Sequence, residues 1–444
     1  MTEIMQKYRD TVEKLERIPG FTKKHSVEET RSFLRQMGSP ENGMHIVHVA
    51  GTNGKGSVCA YLAGILQLAG YHVGLFTSPH LIDTRERFQI DGEPVSREAF
   101  LEAFDYVESL LTDPASYYPT YFEMLFFMGM HIFAEAKTDI VILETGVGGR
   151  LDATNAVSRK DLTLITKIGL DHTKYLGDTL EKVAGEKAGI LMSGVPVIVE
   201  GGNEAVADVF KRKAAQTGSP CRILSEKDYG EILIHKKSID FSFYSQYYGI
   251  IQARLHTTAL YQADNTALVL AAVESLTERG IISRSRVTKD VLLEGLYQTQ
   301  WAGRMEEIAP DLFVDGAHNP DGIQAFIRSV AADGCEGMRR LIFSASADKD
   351  YPQMLRLLAD SGLFDRIILT PMKSTRSLSC EALQEAALKI GETVATEVYR
   401  DLNEALERTT DLKQKDDRVY LAGSLYFVGE ARELFIRTAE SDGV

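Results

Sequence analysis

His45-Ile-Val-His-Val-Ala-Gly-Thr-Asn-Gly-Lys-Gly-Ser57 is the stretch that decides the architecture. A β-favouring run from His45 to Ala50 enters a glycine-rich turn carrying one lysine, and a helical pattern then runs from about Ser57 to Ala69. Glycines let backbone N–H groups turn inward, Lys55 adds a point charge, and the N-terminus of the following helix favours anions. Thr52, Asn53, Gly54, Lys55, Gly56 and Ser57 therefore form a candidate phosphate cradle. Its spacing departs from the GxxxxGK[ST] pattern, because Val49 holds the first glycine position and Gly56 follows the lysine.

Working outward, His72 to Phe76, Asp139 to Leu143, Leu162 to Ile168 and Val195 to Glu200 are further short apolar runs separated by helical stretches. Apolar strands alternating with helices predict a mostly parallel sheet covered on both faces. Ligands of such sheets bind at the carboxyl ends of the strands, where the glycine turn, Glu144 and His172 would meet. Between about Tyr229 and Leu255 the texture changes to short alternating strands, Ile232-Leu-Ile234, Ile239 to Phe243 and Ile250 to Leu255, which predict a small antiparallel subsheet. A helix from Ala263 to about Arg279 follows. After Trp301 a second strand–helix series begins, with strands at Leu312 to Asp315, Arg340 to Phe343, Arg366 to Leu369 and Arg418 to Ala422. A boundary near Gln298 predicts two α/β domains. Residues 1–297 form a P-loop-containing, mostly parallel domain with the antiparallel subsheet, and residues 298–444 a smaller Rossmann-like domain.

Composition narrows the function classes. Lys+Arg 49 against Asp+Glu 63 leaves −14, which excludes a diffuse electrostatic grip on nucleic acid or an anionic membrane. A chain of that charge that handles anions must concentrate positive charge locally or borrow it from metal ions. Cys59, Cys221, Cys335 and Cys380 form no CxxC pair, so neither a zinc knuckle nor a disulfide framework is expected. Met1 to Arg17 is charged and helical in pattern, without an apolar signal core. The apolar run Met124 to Ala134 is far shorter than the roughly 20 residues a bilayer span needs. The expectation is a soluble cytoplasmic protein.

The glycine-rich segment resembles the phosphate loop of the Mur-ligase superfamily, in its folylpolyglutamate synthase/dihydrofolate synthase branch. Further segments of that pattern follow in order along the chain. They are Thr77-Ser-Pro-His-Leu81 with Glu86-Arg87, Glu144-Thr-Gly-Val-Gly-Gly-Arg-Leu-Asp-Ala-Thr-Asn155, and Leu170-Asp-His172. Then come Gly185-Glu-Lys-Ala-Gly-Ile190, Tyr261-Gln-Ala-Asp-Asn265, Gly303-Arg304 and Asp315-Gly-Ala-His-Asn-Pro320. The likeness runs from about residue 15 to 430, and the ordered set is far more specific than any one member.

Some of these residues have a physical reading of their own. Glu144 ends an apolar strand, where a carboxylate is costly to bury without a partner. His172 taken alone reads as a structural histidine, and Lys187 on a helix as a solvated surface residue. The resemblance implies more. Ser78, Glu144, His172 and Lys187 would hold two magnesium ions, with Lys187 carrying a carbamate formed with carbon dioxide. Lys55, Glu144, His172 and Lys187 would be the catalytic set. Asn265, Arg304, Asp315 and His318 would contact ATP, with Arg304 on the phosphates and Asp315 on the ribose, and a monovalent cation is a candidate further cofactor. His80, Arg87, Phe122 and Asp152 would bind the folate or pteroate, with Tyr121 near them. Lys373, Ser374 and Arg376 are candidates for the incoming glutamate's carboxylates.

Implied by the resemblance is transfer of the γ-phosphoryl group of ATP to a folate or pteroate carboxylate, followed by attack of L-glutamate's amine on the acyl phosphate. Dihydropteroate, tetrahydrofolate species or both are the expected acceptors, with the bifunctional reading favoured and a monofunctional folylpolyglutamate synthase as the alternative. The expected partners are these small molecules, with no nucleic acid and no membrane, and the chain is expected to be a monomer. A cell-wall-precursor ligase of the same superfamily would need a further domain before Gly51. A P-loop kinase or GTPase-type switch gives no reason for the second α/β domain, and a non-catalytic folate binder gives none for Lys55, Glu144, His172 and Lys187 together.

Overall fold

In the computed structural model, residues 3–18, 25–112, 117–225 and 227–441 are described. Three sheets organise the described residues. The first contains β1 (His45–Ala50), β2 (Val73–Phe76), β3 (Phe88–Ile90), β4 (Glu93–Pro94), β5 (Ile140–Glu144), β6 (Leu162–Ile165), β7 (Val197–Glu200) and β8 (Cys221–Leu224). Its spatial order is β4-β3-β2-β5-β1-β6-β7-β8. From β2 to β8 neighbouring strands pair parallel, and β3 and β4 add an antiparallel edge. Every residue of β5 is buried, as expected of a central strand covered on both faces.

On one face lies the Lys55–Leu68 helix, packed against the Tyr261–Glu278 and Lys289–Gln298 helices. Leu62, Ile65 and Leu66 meet Leu268, Leu292 and Leu296 in one apolar cluster. Gly295 lets two helices close, since a Cβ there would stand 2.9 Å from the Ile65 Cα. The Val27–Gln36, Arg97–Ser109 and Tyr121–Glu135 helices cover the opposite face around Phe88, Phe100, Phe126, Phe127 and Phe133. Each such ring contributes roughly 1.5–3 kcal/mol by leaving water. The apolar run Met124 to Ala134 is therefore a core helix, and no described helix is long and apolar enough to cross a membrane.

The second sheet is β9 (Leu233–Ile234), β10 (Ile239–Ser245) and β11 (Gly249–Leu255), ordered β11-β10-β9 and antiparallel. Burial alternates along β10, so one face packs on the Tyr261–Glu278 helix. The third contains β12 (Glu306–Ala309), β13 (Leu312–Val314), β14 (Arg339–Phe343), β15 (Arg366–Leu369), β16 (Ala395–Val398) and β17 (Arg418–Ala422). Their order is β12-β13-β17-β14-β15-β16, parallel except for β12.

The expected elements form, with shifted ends. The helix after the glycine turn begins at Lys55 rather than Ser57. The N-terminal helix spans Glu3–Glu16, and Met1 and Thr2 lie outside the described residues. The run expected as a strand through Ile168 leaves the ladder after Ile165. There Thr166 N still donates to Ala50 O, but the Lys167 carbonyl turns to accept from Thr52 N and Asn53 N. It thereby becomes the backing of the glycine turn. The edge strands β4, β8, β12 and β16, and β3 beside β4, carry no apolar run of the length that marks the others.

Candidate active site

Strand register assembles the site. Val49 pairs with Glu144 and Phe76 with Leu143, so the glycine turn, Glu144 and Ser78 emerge side by side from β1, β5 and β2. In the third sheet Val314 pairs with Leu421, which sets Asp315 beside the turn after β17. The two sets of strand ends line one cavity of about 970 Å³. All the expected site residues line it except Ser57, together with Tyr121, Lys373, Ser374 and Arg376. Ser57 is buried behind the turn, where its hydroxyl accepts from Gln262 Nε2 at 3.2 Å.

In the turn, Gly54 sits at φ +92°, and a Cβ there would run into Asn265 Oδ1. Asn265 is thereby pressed onto the cradle, with its Nδ2 donating to Gln262 Oε1 at 2.8 Å. Thr52 N and Asn53 N are already spent on Lys167 O. The donors left for an anion are the first-turn amides of the Lys55–Leu68 helix, which have no intrahelical acceptor. Trp301 closes the other side, where a Cβ on Gly56 would stand 2.9 Å from its Nε1.

Glu144 is buried, with Oε2 accepting from Ser78 N at 2.9 Å and Oε1 4.0 Å from Lys55 Nζ. Burial pushes its carboxyl pKa up, against the pull of Lys55. Lys187 is also buried, and its Nζ donates to Gly51 O at 2.7 Å. Burial first, then Lys55, brings its pKa down to about 7. His172 has a left-handed backbone (φ 50°), and burial brings its imidazole down to about 4, so it is neutral near pH 7. Among the described residues no three His, Cys, Asp or Glu side chains converge on a metal position. The donor set fits a hard cation in a more mixed way. The Glu144 carboxylate and the Ser78 hydroxyl line the wall, and Thr166 Oγ1 there is buried without a hydrogen-bond partner. An ammonium at Lys187 does not fit as a ligand, whereas an anionic derivative of it would.

Asp315 is buried as well, but fully engaged. Its Oδ2 accepts from Tyr261 Oη (2.6 Å) and Met305 N (3.0 Å), and its Oδ1 from Ala317 N (2.9 Å). His318 Nδ1 lies 2.8 Å from Gly316 O, so that nitrogen carries the proton and donates. Arg304 Nη1 donates to Gly303 O and borders Gly316. Asp171 joins the two sets of strand ends. It accepts from Lys349 Nζ (2.5 Å) and Asn319 Nδ2 (3.2 Å), and His318 Nε2 stands 3.4 Å away. Burial raises the Asp171 carboxyl, yet the His318 and Lys349 interactions outweigh it and hold it well below the usual carboxylate range. Asn53 and Asn319 exchange amide hydrogen bonds beside it. Tyr261, Gln262, Trp301, Asp171, Asn319 and Lys349 are the site residues to which sequence reasoning gave no role.

At the other end, Arg87 Nε donates to His80 Nδ1 at 2.9 Å, and its guanidinium lies 5.7 Å from the Tyr121 ring centroid. Burial, then Arg87, brings His80 down to about 3, so the ring is neutral and its Nε2 carries the hydrogen. Phe122 packs against Gly146, where a Cβ would stand 2.7 Å from its ring. Asp152 lines the cavity but is already occupied. Its oxygens accept from Gly146 N, Val147 N, Thr154 N and Thr154 Oγ1. Four donors match the lone-pair sites of a carboxylate, so a pterin donor would have to share one of them.

Family comparison fits this geometry. Residues 49–273 match the Mur ligase middle domain and residues 303–425 the Mur ligase glutamate ligase domain. The chain belongs to the Mur ligase family and is an ATP-dependent ligase. It is 32% identical over 425 residues to the dihydrofolate synthase/folylpolyglutamate synthase of Bacillus subtilis, covering 93% of this chain and 95% of that one. Mycobacterium tuberculosis folylpolyglutamate synthase complexed with ADP and AMPPCP superposes with a TM-score of 0.88 at 26% identity, covering 98% of this chain and 99% of that one. E. coli FolC in complex with DHPP and ADP gives 0.85 at 27%, covering 97% and 98%. This full-length likeness puts the chain in the folylpolyglutamate synthase/dihydrofolate synthase branch of the family.

Proposed function

We propose that the chain uses ATP to join L-glutamate to the carboxylate of dihydropteroate and to the glutamate tail of reduced folates. One observation carries the reading. A phosphate cradle, a buried strand-end carboxylate, an arginine and a fully oriented aspartate face each other across one cavity. The dual name of the Bacillus subtilis relative supports the bifunctional form, and a monofunctional folylpolyglutamate synthase is the alternative.

ATP would lie with its phosphates on the first-turn amides and Lys55, reached from the far side by Arg304. Asp315 and His318 would take the ribose, and Asn265 would border the nucleotide. The acceptor would enter between His80, Arg87, Phe122 and the Asp152 loop, bringing its carboxylate to the γ-phosphoryl group. Two anions meet in that step, so positioning and charge neutralisation are the main requirements. Glu144, Ser78, His172 and a Lys187 carbamate would hold two magnesium ions, which supply neutralising charge when bound. The lowered pKa of Lys187 supports the carbamate, because only the neutral amine attacks carbon dioxide, losing a proton as the N–C bond forms. Glutamate's amine would then attack the acyl phosphate and release phosphate, with Lys373, Ser374 and Arg376 on its carboxylates. Closure of the two-sided cavity around the substrates would exclude water that otherwise hydrolyses the intermediate.

A division into domains 1–297 and 298–444 belongs to the same reading, and is supported by a third sheet whose strands all follow that point. So do a monomeric state, which sedimentation tests, and a cytoplasmic location, which fractionation tests. The deciding experiment is ADP release with dihydropteroate or tetrahydrofolate, with and without glutamate. Glutamate-dependent release with both acceptors is expected. No product from dihydropteroate removes the synthase half, and failure to extend tetrahydrofolate removes the other.

A further inference from the structure

Behind the cavity wall lies a buried cation that the chemistry above does not use. Lys160, in the turn before β6, is 5% exposed. Burial, with Arg31 adding repulsion, draws its pKa down to about 7, so a lysine is a costly space-filler at this position. Its Nζ meets three acceptors: Ile190 O at 2.8 Å, His48 Nδ1 at 2.9 Å and Asn155 Oδ1 at 3.3 Å. An ammonium has three donors, so the group is satisfied.

With Lys160 charged, that arrangement fixes the direction of every hydrogen bond beyond it. With Nδ1 accepting, neutral His48 carries its hydrogen on Nε2 and donates to Thr154 Oγ1 at 2.8 Å. The Thr154 hydroxyl must then donate onward, to Asp152 Oδ1 at 2.6 Å. The other Asp152 oxygen holds Gly146 N (2.9 Å) and Val147 N (3.0 Å). A one-way chain thus runs from a buried cation, through two neutral groups, to the carboxylate that shapes the loop after β5. Gly146, Val147, Gly148, Leu151 and Asp152 of that loop line the cavity, whereas Lys160 and His48 do not. The Ile190 carbonyl lies just past the Leu180–Ala188 helix, so the same ammonium ties the loop to the segment bearing Lys187.

We propose that Lys160 is a positioning residue for the pteridine acceptor, holding the 146–152 loop in its receiving shape through His48, Thr154 and Asp152. The proposal rests on the ligase reading above.

Steady-state kinetics of the full chain test it with wild type, Lys160→Met, Thr154→Val and the double variant, alongside their melting temperatures. Each single substitution is expected to raise the acceptor KM about tenfold, as the loss of a charge-assisted or relayed hydrogen bond would. The ATP KM should stay at its wild-type value. The double variant should be no worse than the worse single one, because both cut the same chain. Thr154→Ser, which keeps the hydroxyl, should restore the wild-type acceptor KM. A lower melting temperature with an unchanged acceptor KM would overturn the proposal, and so would strictly additive effects. Should Lys160→Met not fold, Thr154→Val decides alone, since it leaves the ammonium's three partners in place. A wild type inert with both acceptors removes the ligase reading and this proposal together, whereas an active wild type with indifferent variants removes this proposal alone.

Discussion

Glu144 and Asp315 stand at similar places in two different sheets, each at the carboxyl end of a buried strand that is paired on both sides, and each is buried. Burial raises both carboxyl pKa values. Their partners differ. Asp315 accepts three hydrogen bonds, whereas for Glu144 the structure gives one backbone donor and a lysine 4.0 Å away. A buried carboxylate held by three fixed donors is a shaped acceptor with one lone-pair site left to offer. A buried carboxylate left short of partners is a place where a cation would be favourable. The same residue class thus stands at similar strand ends of two sheets, and the surrounding donors tell the two carboxylates apart.

The largest expected effect breaks the Glu144 half of this comparison. Glu144→Gln should lower kcat about a thousandfold while leaving the fold intact. Because the folded-state pKa is raised, this carboxyl favours folding at low pH, and that contribution is lost as pH rises through the raised value. The Gln variant should therefore melt at or above the wild-type temperature near neutral pH. A clearly lower melting point would mean that Glu144 is a structural partner rather than an under-compensated charge. Next in size, Lys187→Met should cost about a hundredfold in kcat. If the carbamate forms, wild-type activity should also fall in carbon-dioxide-free buffer and recover with bicarbonate. Indifference to bicarbonate would count against the modification. Asp315→Asn should instead raise the ATP KM about tenfold and lower the melting temperature. The new amide must point at a donor that the carboxylate accepted, at a cost of about 1–3 kcal/mol. Calorimetry and kinetics on the same preparations separate the two carboxylates.

Legibility in the sequence followed the same divide. Glu144 announced itself because a charge ending an all-apolar strand is conspicuous, and the glycine turn because strand, glycines, lysine and helix are contiguous. The core strands were readable for the same local reason. The edge strands were not, because Glu93–Pro94 and Cys221–Leu224 are too short or too exposed to show a pattern. Ser57 and Asn265 are singled out in the sequence, but Gln262, which hydrogen-bonds to both, is not, since it reads as an ordinary helical residue. Asp171 is invisible as a partner of Lys349, because a separation of 178 positions leaves no trace of the contact. The resemblance of the 149–155 segment implies a pterin contact for Asp152, and nothing local in the sequence speaks against a free carboxylate there. Only the fold reveals the four donors that already surround it.

The smallest expected effect concerns the seam between the two halves. Asn53, in the turn after β1, and Asn319, at the start of the Pro320–Ala331 helix, exchange two amide hydrogen bonds, at 3.1 and 2.9 Å. Asn319 does more, since its Oδ1 also caps the Pro320–Ala331 helix through Gly322 N and its Nδ2 also reaches Asp171. Replacing a capping asparagine by alanine costs about 1 kcal/mol, and each neutral hydrogen bond at a partly exposed site about 0.5–1.5 kcal/mol. Asn319→Ala should therefore destabilise more than Asn53→Ala. If the exchanged pair acts as one contact, the double variant should lose no more than Asn319→Ala alone, because removing Asn319 already removes everything Asn53 gives. A double variant less stable by the full sum would show that Asn53 earns its stability within its own turn, and that the seam is held by Asp171 and Lys349 instead.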